Sequence, residues 1–143
     1  MKKAARIAER ALEDTLPIIK PGVREIEIAD TLIGNLIRNG SQVELPFDPI
    51  IGSGPNSADP HAAVSKREVR PGEFVLIDWG ARYDGYCSDL TRTFAVGEAS
   101  EEMRTVHETV LAANRTAAAF ARPGVRAGDV DGAASVLDRK SVV

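Results

Sequence analysis

Two aspartates, Asp78 and Asp89, fall inside "LIDWGARYDGYCSDLTRTF" (residues 76–94), where β-branched and aromatic residues flank the turn signal Asp84-Gly85. A half-buried hairpin is a poor place for carboxylates unless something uses them. Side chains alternate across a strand, and in a hairpin with an even-numbered loop the numbers of opposed residues sum to an odd value. The two aspartates meet that condition. With Tyr83-Asp84 as the loop they oppose each other directly; with Asp84-Gly85, Asp78 faces Thr91 and Asp89 faces Gly80. Both registers put them on one face, and only a bulge would separate them.

Two like charges on one sheet face oppose folding by about 0.2–1 kcal/mol when exposed, and by more when buried. A shared proton, a basic neighbour such as Arg92, or divalent cations bound by both carboxylates could offset this. The plain alternative is that Val75, Ile77 and Trp79 form the core face and both aspartates point into solvent. His61 stands in the loop "SADPHAAV" directly after Pro60, while His107 lies within an amphipathic helical pattern and reads as a solvated flank. Neither has the ligand spacing of a helical zinc motif. No glycine-rich phosphate loop follows a strand and no GxSxG elbow is present, which leaves nucleotide binding and serine hydrolysis without support. The single cysteine, Cys87, has no partner for an internal disulfide and reads as a small strand residue in a reducing compartment.

The elements that must position these residues follow from periodicity. Ala4, Ile7, Ala8, Ala11 and Leu12 predict an amphipathic helix running to about Pro17, broken by "KPG" at 20–22. A second helix is expected in "REIEIADTLIGNLIRNG", with Ile28, Ala29, Leu32, Ile33, Leu36 and Ile37 inward and Gly40 as its left-handed cap, although Arg24 is a poor N-cap. Residues 45–64 have loop composition around the short apolar run Ile50-Ile51. After the hairpin, Ser100 is the expected N-cap of a third helix with Met103, Val106, Val110, Ala117 and Phe120 inward.

"KPGVR" at 20–24 returns as "RPGVR" at 122–126, each time between two helical segments. An interval of that size suggests two similar halves, about 1–97 and 98–143, of which the second lacks its strands and looks cut within its second helix. Arg139 to Val143 do not continue the preceding pattern. The chain of 143 residues, 43% of them apolar, suits one domain with a real core. Its formal charge of −3, with no basic stripe, argues against nucleic acid. The charged start "MKKAARIAERALEDTL" lacks a signal-peptide core and no stretch could span a bilayer, so a soluble cytoplasmic protein is expected.

"LIDWGARYDGYCSDLTRTFAVG", together with "PFDPIIGSGPNSADPHA", "KPGVREIEIADTL" and "EEMRTVHETVLAANRTAAAFARPGV", closely resembles the pita-bread metallopeptidases, in particular their X-Pro aminopeptidase and prolidase branch. The resemblance implies an α+β fold, here its first half plus the two leading helices of the second. It implies a site of two divalent ions, manganese, cobalt or zinc, held by five protein ligands. On that resemblance Asp78 matches the aspartate that chelates one ion, Asp89 the one that bridges both, and His61 the histidine that hydrogen-bonds the substrate carbonyl. The implied reaction is hydrolysis of the peptide bond before proline in a peptide substrate. A homodimer is among the assemblies open to a complete protein of this kind. The family's remaining three ligands, one histidine and two glutamates, lie in the second half's strands, beyond the residues matched here. An isolated chain of this extent is therefore expected to be inactive, to bind metal weakly and to expose a sheet face that promotes self-association. Creatinase-like and methionine aminopeptidase-like hydrolases share the fold, as do metal-free binding modules; retention of Asp78, Asp89 and His61 together disfavours the last.

Overall fold

The computed structural model describes the backbone of residues 1–141 and the side chains of residues 1–135; the break in pattern expected at Arg139–Val143 lies outside the described side chains. Two units result, residues 1–98 and 99–143. In the first, helix α1 (Lys2–Thr15) buries Ala4, Ile7, Ala8, Ala11 and Leu12, the stripe its spacing demands, and runs into a 3-10 turn at Leu16–Ile18. Helix α2 (Glu25–Arg38) follows. Arg24 does precede it as N-cap although its side chain offers no acceptor. The orphan donors of the first turn are met otherwise: the Glu25 and Ile26 N–H groups donate to the carbonyls of Arg67 and Ser65, both at 3.0 Å, and the Arg24 N–H donates to Glu27 Oε2 at 2.9 Å. At the other end, Gly40 (φ 102°) permits the paired closing bonds Ser41 N–H to Leu36 O and Gly40 N–H to Ile37 O.

The buried stripe of α2 is rotated from the expected one. Ile28, Ala29, Leu32 and Leu36 are buried, but Ile33 is half-buried and Ile37 exposed, while Glu25 and Asn35 occupy stripe positions. The i, i+3, i+4, i+7 row that includes Ile28 and Leu32 runs through residues 25 and 35, so 33 and 37 fall on its flank. Buried Asn35 donates from Nδ2 to Thr15 Oγ1 at 3.0 Å, which in turn donates to the Ala11 carbonyl at 2.6 Å.

A three-stranded antiparallel sheet lies against these helices, formed by β1 (Ile50–Ser53), β2 (Glu73–Trp79) and β5 (Leu90–Val96) in the order β1-β2-β5. Strand β1 corrects the all-loop reading of residues 45–64. A four-residue strand is too short to show a period, and its partner β2 is over 20 positions away in sequence, beyond the reach of local signals. Two short strands, β3 (Arg82–Tyr83) and β4 (Tyr86–Cys87), extend the β2–β5 hairpin to its tip. Val75, Ile77 and Trp79 are buried in one core with Ala8, Leu12, Leu32 and Leu36, and Trp79 Nε1 donates to the Ala8 carbonyl at 2.9 Å.

In the second unit α3 (Glu101–Phe120) starts as expected, with Met103 N–H donating to Ser100 Oγ at 3.2 Å, and pairs with α4 (Ala127–Ser141). The expected inward row is not buried: Val106 is 53%, Val110 56% and Phe120 41% exposed, whereas Met103 and Ala117 are half-buried. Each member of a helix pair can cover only one stripe of the other, too little to close a core. The two Pro-Gly turns are built alike. Val23 N–H donates to Lys20 O and Val125 N–H to Arg122 O, Gly22 and Gly124 have φ of 87° and 89°, and an Arg–acid ion pair follows each, Arg24–Glu27 at 3.1 Å and Arg126–Asp129 at 2.8 Å.

Candidate functional site

The hairpin tip is Asp84-Gly85, both with positive φ (49° and 75°), which is the backbone of a two-residue turn between strands of right-handed twist. Asp78 accordingly pairs with Thr91. Trp79 pairs with Leu90 and Arg82 with Cys87, so the register is the same on both sides of the interruption and no bulge is inserted. Asp89 therefore stands across from Gly80, on the face that Asp78 shares. Where the ladder is interrupted the strands approach closely, with Ala81 N–H donating to Ser88 Oγ and Ser88 N–H to Ala81 O, both at 2.9 Å. A Cβ on Gly80 would sit 2.1 Å from the Ser88 carbonyl oxygen, so only glycine fits opposite Asp89.

Asp78 is half-buried and Asp89 exposed. Oδ1 of Asp78 is buried and accepts no hydrogen bond. Burial, and after it the charge of Asp89, push the Asp78 carboxyl above the usual carboxylate range, against the pull of a hydrogen bond with Thr91. Arg92 does not neutralise the pair. It lies opposite Ile77, on the other face, and donates to the Thr91 carbonyl at 2.8 Å. An orphaned carboxylate oxygen beside a second carboxylate suits a divalent cation taking oxygen ligands. Among the described residues no group of three or more His, Cys, Asp or Glu gathers into a complete metal cage.

His61 is exposed in the turn that follows a second 3-10 segment, Gly54–Ala58, and its N–H donates to Asp59 Oδ1 at 2.9 Å. No described contact joins its ring to the aspartates. His107 is exposed on α3, and Cys87 is exposed on β4.

Sequence reasoning passed over the most heavily hydrogen-bonded carboxylate among the described residues. Glu25, fully buried at the start of α2, accepts from the N–H and Oγ of Ser53 (both 2.7 Å), from the N–H and Oγ of Ser65 (3.2 and 2.6 Å), and from Asn56 Nδ2 (3.1 Å to each oxygen). Burial, the largest influence, raises its pKa; the hydrogen bonds from Ser65, Ser53 and Asn56 together outweigh it and leave the carboxyl below the usual range. The available signal was its place in the apolar row, three and four residues before Ile28 and Ala29.

The model of metallopeptidase family M24 matches residues 1–141. The chain belongs to that family. Among M24 relatives it is 39% identical over 131 residues to an Xaa-Pro dipeptidase of Pyrococcus furiosus, covering 92% of this chain and 37% of that protein. The solved X-Pro aminopeptidase of Thermotoga maritima superposes with a TM-score of 0.95 at 38% identity, over 99% of this chain and 40% of the other. The Xaa-Pro dipeptidase of Bacillus anthracis gives 0.93 at 37% identity, over 99% and 39%. The fold is thus the pita-bread fold of M24 peptidases, over its first part, and the chain spans about 37% of the length of the curated relatives it matches.

Proposed function

We propose that this chain supplies part of the active site of an X-Pro peptidase, with Asp78 and Asp89 as metal ligands and His61 as a substrate-binding residue. The observation that carries the reading is the buried, unpartnered Asp78 Oδ1 on the face shared with Asp89, in a chain of the M24 family. Two divalent ions, when bound, would polarise the scissile carbonyl and lower the pKa of a bound water. Asp78 would bind through the oxygen that now lacks a partner, which removes the mutual repulsion of the two carboxylates. Asp89, exposed and across from Gly80, is free to offer both oxygens. His61, on its exposed turn, would donate to the carbonyl oxygen of the residue before proline. The resemblance assigns three further ligands outside the matched residues, so the 143-residue chain by itself is expected to leave Xaa-Pro dipeptides uncleaved.

A chimera tests the assignment: this chain replaces the corresponding segment of the Thermotoga maritima X-Pro aminopeptidase, and hydrolysis of X-Pro peptides is followed with added Mn²⁺. The chimera should be active, and Asp78→Asn or Asp89→Asn should each lower kcat/KM by about 100-fold or more, a loss at or beyond the upper end for residues that only support ligands. Activity indifferent to both substitutions would refute the reading.

A further inference from the structure

We propose that Glu25 is a positioning residue for the His61 loop, holding both ends of residues 54–64 with one buried carboxylate. This rests on the reading of His61 as a site residue. The donors to Glu25 come from three places along the chain: Ser53 at the end of β1, Asn56 within the 3-10 segment, and Ser65 where the chain returns. His61 lies between the second and the third. Closing a loop costs conformational entropy, and the charge-assisted bonds at its two ends offset that cost.

A second pair stands behind the first. Arg67 donates from Nη1 to Ser53 Oγ at 2.7 Å and to Glu73 Oε2 at 2.8 Å, so the loop's exit is tied to strand β2. Glycine at 54 suits the loop's entry against this pair: its φ of 51° is one L side chains rarely adopt, and a Cβ there would lie 2.6 Å from Glu73 Oε1 and 2.8 Å from Arg67 Nη2, so the ion pair would have to shift. The helix itself does not require a buried charge. The turn at 122–126 is closed like the one at 20–24 and is followed by the same kind of Arg–acid pair, yet the position equivalent to Glu25 is Ala127. What differs is the loop. A buried carboxylate is unfavourable without partners, and the hydrogen-bond donors to the Glu25 carboxylate, Ser53, Asn56 and Ser65, all belong to residues 53–65.

Amide hydrogen exchange on the 143-residue chain, with ¹H–¹³C spectra of the two histidine rings, tests this in the parent sequence, Glu25→Gln and Ser65→Ala. In Glu25→Gln the side-chain amide turns N–H towards N–H or O–H donors. Exchange across residues 54–65 should then rise about 10-fold or more, while Ile77 and Leu12 stay within about 2-fold. The His61 ring signals should shift or broaden and those of His107 stay put. Ser65→Ala, which removes one donor, should give the same local pattern at about 3-fold. Uniform acceleration across residues 1–98, or an unchanged loop, would overturn the proposal; if Glu25→Gln does not fold, Ser65→Ala decides on the same criteria. Added Mn²⁺ separates the premise: broadening of the His61 ring in the parent chain supports its place beside the metal, and its absence contradicts that reading while the exchange data still judge Glu25.

Discussion

Asp78 shares a sheet face with Asp89, and the charge of Asp89 adds to burial in raising the Asp78 carboxyl. The opposite face of the same strand carries Val75, Ile77 and Trp79 at the centre of the core. Strand β2 thus anchors the fold by one face and on the other carries Asp78, whose charge meets that of Asp89 from across the hairpin. A sequence selected for stability alone would not keep a buried carboxylate oxygen without a partner.

The pH dependence of Asp78→Asn follows from that relationship. A carboxyl whose folded pKa lies above its unfolded value disfavours folding in its ionised form. The penalty is complete above the folded pKa and disappears below the unfolded one. At neutral pH and without metal, Asp78→Asn should therefore stabilise the chain by about 1 kcal/mol, or about 3 °C in Tm. The gain should fade as pH drops through the raised carboxylate range. Thermal melts from pH 7 to pH 3 check it; a Tm lowered by the substitution at pH 7 would count against the assigned strain.

Gly80→Ala probes the close approach opposite Asp89. The added Cβ meets backbone, the Ser88 carbonyl, so the strands must part. A loss of about 2 kcal/mol or more is expected in urea unfolding, where Gly85→Ala at the turn, with nothing within 4 Å of its Cβ, meets only the cost of positive φ. Equal losses would show that conformation rather than contact makes Gly80 necessary.

How far the sequence reached depended on how local each signal was. The α1 stripe, the Gly40 cap, the Ser100 cap and the presence of a tight turn within "RYDG" are written within a few residues and were legible. So was the shared face of Asp78 and Asp89, which needs only the parity of a hairpin; which of two registers is used was not, because the tip "RYDG" admits either. Strand β1 depends on a distant partner. Glu25 was missed because a glutamate at a helix start reads as a solvated dipole partner, and its donors lie 28 to 40 positions on. Val106, Val110 and Phe120 follow a correct helical period but lack cover in the α3–α4 unit. Periodicity identifies the face that wants burial, not whether anything buries it.

That uncovered row has a consequence in solution. Val106, Val110, Leu111 and Phe120 are each more than a third exposed, and such a stripe favours association of like chains. Sedimentation velocity should show concentration-dependent dimers or larger species below about 100 µM, with Val106→Glu/Val110→Glu shifting the population towards monomer. A monodisperse monomer at that concentration would contradict the expectation.

The most direct test of the account is a titration of the 143-residue chain with Mn²⁺, read residue by residue from paramagnetic broadening of backbone amides. Binding through two carboxylates predicts broadening centred on Asp78, Asp89 and Thr91, a dissociation constant of about 0.1–1 mM or weaker, and loss of the effect in Asp89→Asn. Broadening centred elsewhere, or a hairpin signal that survives Asp89→Asn, would contradict the claim that these two aspartates form the chain's share of a metal site.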